Sequence, residues 1–211
     1  MYHDRRIYHF THVKNLPRIL KEGALLSDSL VQAGQKLTVE VGDLHVKKQR
    51  RSMKVTLPPG GCPADYVPFY FAPRSPMLYV INKGGVEQYR EGQEPLIYLV
   101  SSVDRIVSEQ LDWVFTDGNC ASGITEYFND LENLKQAVDW PLMGSMIWKN
   151  TAEDPDRMRR RMAEFLVHRQ VPRNCLLGIA TKTKEIEKEV KEIFQKRNES
   201  IYVDTRSNWY Y

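Results

Sequence analysis

The sequence predicts an α+β fold with a central mixed or antiparallel sheet flanked by helices. Three observations lead there. Short strand-type apolar runs recur along the whole chain, more of them than a doubly wound parallel sheet needs. Neither G-x-G-x-x-G nor G-x-x-x-x-G-K occurs, so the phosphate-cradling turns of the doubly wound folds are missing. No internal repeat or low-complexity linker divides the 211 residues. Residues 1–211 therefore read as one domain, long enough to bury a sizeable core.

The elements follow in order. Residues 7–10 form a first strand. Residues 12–22 read as a helix, with Val13, Leu16, Ile19 and Leu20 on one face and Gly23 as its stop. Residues 24–45 are mixed and loop-rich, and residues 46–54 form a basic cluster. Pro58-Pro-Gly-Gly-Cys-Pro63 is a loop by composition. Residues 67–81 read as a buried aromatic strand, a turn at Pro73, and a helix from 75 to about 82. Ser75 suits the N-cap of that helix and Pro76 its first turn.

Lys83-Gly-Gly85 ends it. Residues 96–100 and 113–116 are strand-like, with a short helix at 102–107 and a turn at Asp117-Gly-Asn119. Residues 126–138 carry helical spacing at Phe128, Leu131, Leu134 and Val138. Residues 139–155 are irregular, and 156–163 form a basic helix. Residues 165–167 and 175–181 are strand-like. Residues 183–197 form the best-defined helix, with Ile186, Val190 and Ile193 on one face and Glu187–Lys191 and Glu192–Lys196 one turn apart. Residues 200–203 are a last strand.

Composition excludes several classes. A net charge of +3 is too mild for a polycation, so nucleic-acid binding must come from local clusters. Cys62, Cys120 and Cys175 show no zinc spacing, and no metal site is expected. An odd cysteine count without a secretory leader points to a reducing cytoplasm. No apolar run approaches the roughly 18 residues of a membrane span.

Four constellations carry chemistry. His9-Phe10-Thr11 ends the first strand, with His9 and Thr11 on one face. It suits a ribose hydroxyl and an amide, or equally a structural histidine beside a helix cap. Lys47, Lys48, Arg50, Arg51 and Lys54 suit phosphates, or are a solvated charge run. Arg157, Arg159, Arg160 and Arg161 precede Glu164, a carboxylate at the edge of an apolar run. That placement suits a general base, or a salt bridge at a strand end. The aromatic run of 67–81 offers a stacking floor beside backbone donors, or is a core strand. His3, His12, His45 and His168 are scattered and read as structural or solvated.

In this order, His-x-Thr, Tyr-Phe-Ala followed by Ser-x-x-x-Tyr, and a lone late Glu resemble the poly(ADP-ribose) polymerase-like fold. Residues 8–20 (YHFTHVKNLPRIL), 65–79 (DYVPFYFAPRSPMLY) and 161–167 (RMAEFLV) resemble the DarT family more closely. DarT proteins are bacterial toxins that ADP-ribosylate DNA, and the resemblance spans residues 7 to about 181.

The resemblance implies a single ADP-ribosyltransferase-like domain using NAD+ as co-substrate. It assigns His9 to the NAD ribose with Thr11 beside it, Tyr70 to the nicotinamide, and Glu164 to catalysis. One arginine of a basic helix assists catalysis and NAD binding; of Arg50 and Arg51, Arg51 is preferred. Lys47, Lys48, Arg50, Lys54, Arg159 and Arg160 are expected to hold DNA phosphates. Residues 119–155 would contain the loop that reads the target base. The acceptor is expected to be a base in single-stranded DNA, thymine by family frequency, which is reachable only outside a duplex. An antitoxin that removes ADP-ribose from DNA, of macrodomain type, is the implied partner. The alternatives are transfer to RNA or protein, or a non-catalytic nucleic-acid-binding module of the same fold.

Overall fold

A computed structural model describes residues 5–34 and 37–211. His3 lies outside these residues. The strands are β1 (Arg6–His12), β2 (Ala24–Leu26), β3 (Tyr66–Tyr70), β4 (Leu96–Ser102), β5 (Trp113–Thr116), β6 (Tyr127–Phe128), β7 (Glu164–His168), β8 (Gln170–Pro172), β9 (Gly178–Thr181) and β10 (Tyr202–Thr205). The helices are α1 (Leu16–Glu22), α2 (Asp28–Gly34), α3 (Leu44–Ser52), α4 (Pro76–Asn82), α5 (Val103–Ser108), α6 (Leu134–Ala137), α7 (Trp140–Met143), α8 (Arg157–Arg161) and α9 (Lys184–Gln195).

Eight strands form one sheet in the order β10-β9-β4-β1-β3-β7-β5-β6. Neighbours pair antiparallel except β10 with β9, so the sheet is mixed, as the sequence predicts. β2 and β8 form a separate antiparallel pair. The two sheet faces pack differently. Ile7, Phe69, Leu99 and Phe165 point into the larger core with α1, α5 and α9. Leu96, Tyr98 and Val100 point the other way, toward α4 and the 209–211 segment.

Local chemistry sets the boundaries. Gly23 ends α1 with φ 71°, the left-handed cap conformation that costs glycine least. The Ser75 hydroxyl accepts from Leu78 N at 3.2 Å, with Pro76 in the first turn, so Ser75 is a helix cap. Thr183 caps α9, whose Val190 and Phe194 are buried and whose Glu187 meets Lys191 at 2.7 Å.

Three expectations are corrected. Residues 24–45 are not merely loop: they contain β2 and α2. The apolar spacing at 126–138 is divided among β6, a 3-10 turn and the four-residue α6, because Phe128 and Leu134 reach the core from separate segments. The single helix expected at 12–22 is a 3-10 turn leading into α1. Phe69 and Phe71 are buried core residues, as strand alternation predicts. Among the described residues no helix is long and apolar enough to cross a membrane, and no three His, Cys, Asp or Glu side chains gather as a metal site requires.

Candidate active site

β1 and β3 are sheet neighbours but pair at a single position, Tyr8 opposite Tyr70. Beyond it the strands diverge and a cleft opens, lined by His9, Thr11, Tyr66, Tyr70, Arg50 and Glu164 among others. The sequence-predicted His, Tyr and Glu therefore meet at one place. β3 and β7 pair over five positions, and the last sets Tyr70 opposite Glu164.

His9 spans the gap, with Nδ1 2.8 Å from the Pro68 carbonyl. A carbonyl only accepts, so Nδ1 carries the proton and Nε2 keeps its lone pair. Burial lowers the His9 pKa to about 4, leaving the ring neutral near pH 7. Thr11 is 5% exposed and accepts from Asn15 Nδ2 at 2.9 Å. Asn15 also donates to the Val39 carbonyl and accepts from Thr38 N and Val39 N. It thus fixes Val39 in the wall of the cleft. Nothing in the sequence pattern singles out Asn15, whose partners lie 23 and 24 positions away.

Glu164 is 2% exposed. Its backbone N–H donates to Thr116 Oγ1 at 3.0 Å, while that hydroxyl donates to the Gly118 carbonyl. Both carboxylate oxygens lie 3.0 Å from Arg50 Nη1. The same nitrogen lies 2.9 Å from Cys120 Sγ. Burial works against the Arg50 charge, but the Glu164 carboxylate, through its charge and its hydrogen bonds, keeps it protonated. Burial also holds the Cys120 thiol well above its ordinary range, so the sulfur is neutral. Tyr70 is likewise a neutral phenol, raised first by burial and then by the Glu164 charge. Cysteine spacing alone gives no sign that Cys120 belongs here.

Arg51 does not reach Glu164. Its Nε and Nη2 lie 3.0 and 2.5 Å from Asp28 Oδ2. Consecutive helical residues are rotated by about 100°, so only one of the two arginines can face the cleft. The structure gives that place to Arg50, which the sequence assigned to phosphate binding. Lys47 meets Asp28 Oδ1 at 2.7 Å and also pairs with Glu40.

Arg159 and Arg160 are also differently employed. Arg159 pairs with Asp156 at 2.7 Å and Asp117 at 3.0 Å, and Arg160 with Asp139 at 2.7 Å and Asp154 at 2.5 Å. Their guanidinium forks are already filled by carboxylates, which leaves little to offer a phosphate. Lys48 and Lys54 are exposed, as a backbone contact requires. Arg74, with φ 58°, lays its guanidinium 4.5 Å from the centre of the Tyr211 ring.

A neutral acceptor histidine, a buried carboxylate with a fixed cation, and aromatic walls suit a sugar that develops positive charge. Comparisons with known proteins agree. A family profile described as "ssDNA thymidine ADP-ribosyltransferase, DarT" matches residues 8–211. A DNA ADP-ribosyl transferase from Thermus sp. (strain 2.9) is 38% identical over 207 residues, covering 97% of this chain and 95% of its own length.

Its solved structures superpose closely. The complex with ADP-ribosylated ssDNA has a TM-score of 0.91 at 36% identity, covering 99% of this chain and 97% of that one. The complex with NAD+ has a TM-score of 0.86 at 36% identity, covering 99% and 98%. A DNA ADP-ribosyl transferase–DNA ADP-ribosyl glycohydrolase fusion protein from Thermosipho africanus is 26% identical over 202 residues, 95% of this chain and 48% of the fusion. With the fold, the cleft and the profile in agreement over nearly its whole length, the chain belongs to the DarT family of single-stranded-DNA thymidine ADP-ribosyltransferases.

Proposed function

We propose that Glu164, held by Arg50 at the split between β1 and β3, drives transfer of ADP-ribose from NAD+ to a thymine base in single-stranded DNA. The chain is an NAD-dependent ADP-ribosyltransferase by family. The observation that carries the residue assignment is the Arg50–Glu164 pair opposite Tyr70.

The chemistry follows from that geometry. Breaking the nicotinamide–ribose bond leaves positive charge on the ribose carbon, and the electron pair departs with nicotinamide. The Glu164 carboxylate faces that charge and stabilises it. The bond that forms joins the ribose carbon to a ring nitrogen of the base, and the proton on that nitrogen passes to Glu164. His9 Nε2, its lone pair free because Nδ1 is committed to Pro68, accepts from a ribose hydroxyl. Tyr70 supplies a flat neutral face for the nicotinamide, and Thr11, tied to Asn15, closes the side of the pocket.

Lys48 and Lys54 supply the DNA backbone contacts from the exposed side of the 46–54 segment. Residues 119–155 supply the loop that reads the base. Use of NAD+ and DNA as substrates supports action in the cytoplasm, and residues 1–211 are read as a single catalytic domain. The partner is an antitoxin that removes ADP-ribose from DNA, a reading supported by the fused glycohydrolase of the Thermosipho relative.

The test is intact-mass analysis of a thymine-containing single-stranded oligonucleotide incubated with protein and NAD+. A gain of one ADP-ribose is expected, with none on a thymine-free oligonucleotide or on RNA of matching sequence. Glu164→Gln keeps the shape and removes the charge, and should lower the rate about a thousandfold. Modification of RNA but not DNA, or full activity in Glu164→Gln, would refute the reading.

A further inference from the structure

α3 carries the cleft arginine, yet none of its residues is fully buried. Helices of this length are marginal in water and normally rely on an apolar face packed against the core. The described contacts of α3 are instead largely polar. Gln49 donates to the Ala121 carbonyl at 2.9 Å, and Arg50 reaches Cys120 and Glu164. On the other side Lys47 and Arg51 converge on one carboxylate, Asp28, whose side chain is 15% exposed.

Lys47 and Arg51 are one turn apart and share a helix face. Two contacts of that spacing fix both the position of a helix and its rotation about its axis. Asp28 stands on a fixed support. Its neighbour Ser27 donates its backbone N–H to the Arg169 carbonyl at 2.8 Å, and Ser29 donates its hydroxyl to Asp65 at 2.7 Å. Asp28 also opens α2, where a negative charge complements the helix dipole.

We propose that Asp28 is a positioning residue: by clamping Lys47 and Arg51 it sets the rotation of α3 that delivers Arg50 to Glu164. The two cations read from sequence as ligand contacts then serve the helix rather than the ligand. This inference rests on the roles proposed above for Arg50 and Glu164.

The test combines kinetics with a measurement that needs no activity. Asp28→Asn should lower kcat for transfer about tenfold, the worth of one charge-assisted hydrogen bond, with KM for NAD+ within about twofold. In an Arg50→Ala background the same substitution should cause no further loss, because Asp28 acts through Arg50. Cys120 is fully buried beneath Arg50, so in a Cys62→Ser background its alkylation by a maleimide reports release of α3. Asp28→Asn should speed that alkylation several-fold and leave Cys175 protected. The double variant Lys47→Met/Arg51→Met should reproduce both effects, which covers an Asp28 variant that fails to fold.

Unchanged kcat and unchanged Cys120 protection in Asp28→Asn would overturn the proposal. So would a loss that adds fully to Arg50→Ala while Cys120 stays protected. Absence of any transfer by the native chain would count against the proposed function, whereas the alkylation arm would still decide the clamp.

Discussion

Substituting Arg50 and Arg51 separately should give sharply different enzymes, although the two are adjacent and chemically identical. Arg50 is 13% exposed and holds both oxygens of a carboxylate that is itself 3% exposed. Removing the cation that fixes so buried a carboxylate removes a preorganised electrostatic contact, which adds about 3–4 kcal/mol to the barrier. The lower end of that range, about 3 kcal/mol, corresponds to about a hundredfold in rate. Arg51 is 35% exposed and pairs with Asp28, which keeps Lys47 when Arg51 is lost. Screening limits that pair to about 1 kcal/mol at most, or a few-fold.

The assay is the initial rate of oligonucleotide modification at saturating NAD+, read by intact mass. Arg50→Ala should lose about two orders of magnitude and Arg51→Ala less than one. Arg50→Lys keeps the charge but not the planar fork, and should fall between them. Equal damage in Arg51→Ala and Arg50→Ala would refute the assignment of the cleft position to Arg50 alone.

His9 has a folded pKa of about 4 against about 6.5 unfolded, so between these values the unfolded chain binds the extra proton and stability rises with pH; the difference amounts to about 3 kcal/mol, complete by about pH 6.5. Chemical denaturation across pH 4–7 should show that rise, and His9→Gln should flatten it; an identical slope in the variant would show that His9 is not buried neutral. Lys48→Ala and Lys54→Ala should each reduce the salt slope of single-stranded DNA binding by about 0.7. Arg159→Ala and Arg160→Ala should leave that slope unchanged and lower the melting temperature instead, and the opposite pattern would return these arginines to the DNA.

That His9, Tyr70 and Glu164 line one cleft is legible in the sequence because each sits at a strand position with local marks. His9 ends an apolar run, Tyr70 lies in an aromatic one, and Glu164 opens another. Pairing of β3 with β7 then does the rest, bringing residues 94 positions apart face to face. The arginine was ambiguous for a simple reason. α3 has no buried face, so its sequence carries no apolar stripe from which to read its rotation. The ion pairs of Arg159 and Arg160 leave no local mark, because their partners Asp117 and Asp139 lie 42 and 21 positions away. Cys120 and Asn15 were invisible for the same reason: each matters through long-range contacts, and neither residue type advertises them.

Pro68 shapes the sheet as well as orienting the histidine. Proline in an interior strand normally forfeits a ladder hydrogen bond, and β3 is interior by strand order. Its carbonyl, however, is directed at His9 on β1. In an extended strand a residue's N–H and C=O point to the same side, so the missing N–H of Pro68 also faces the split. The ladder to β7 therefore loses nothing. β3 is an edge strand on one flank only, and its proline withholds a donor that β1 would need in order to close the sheet. The mouth of the cleft is thus kept open by a backbone group the chain does not possess.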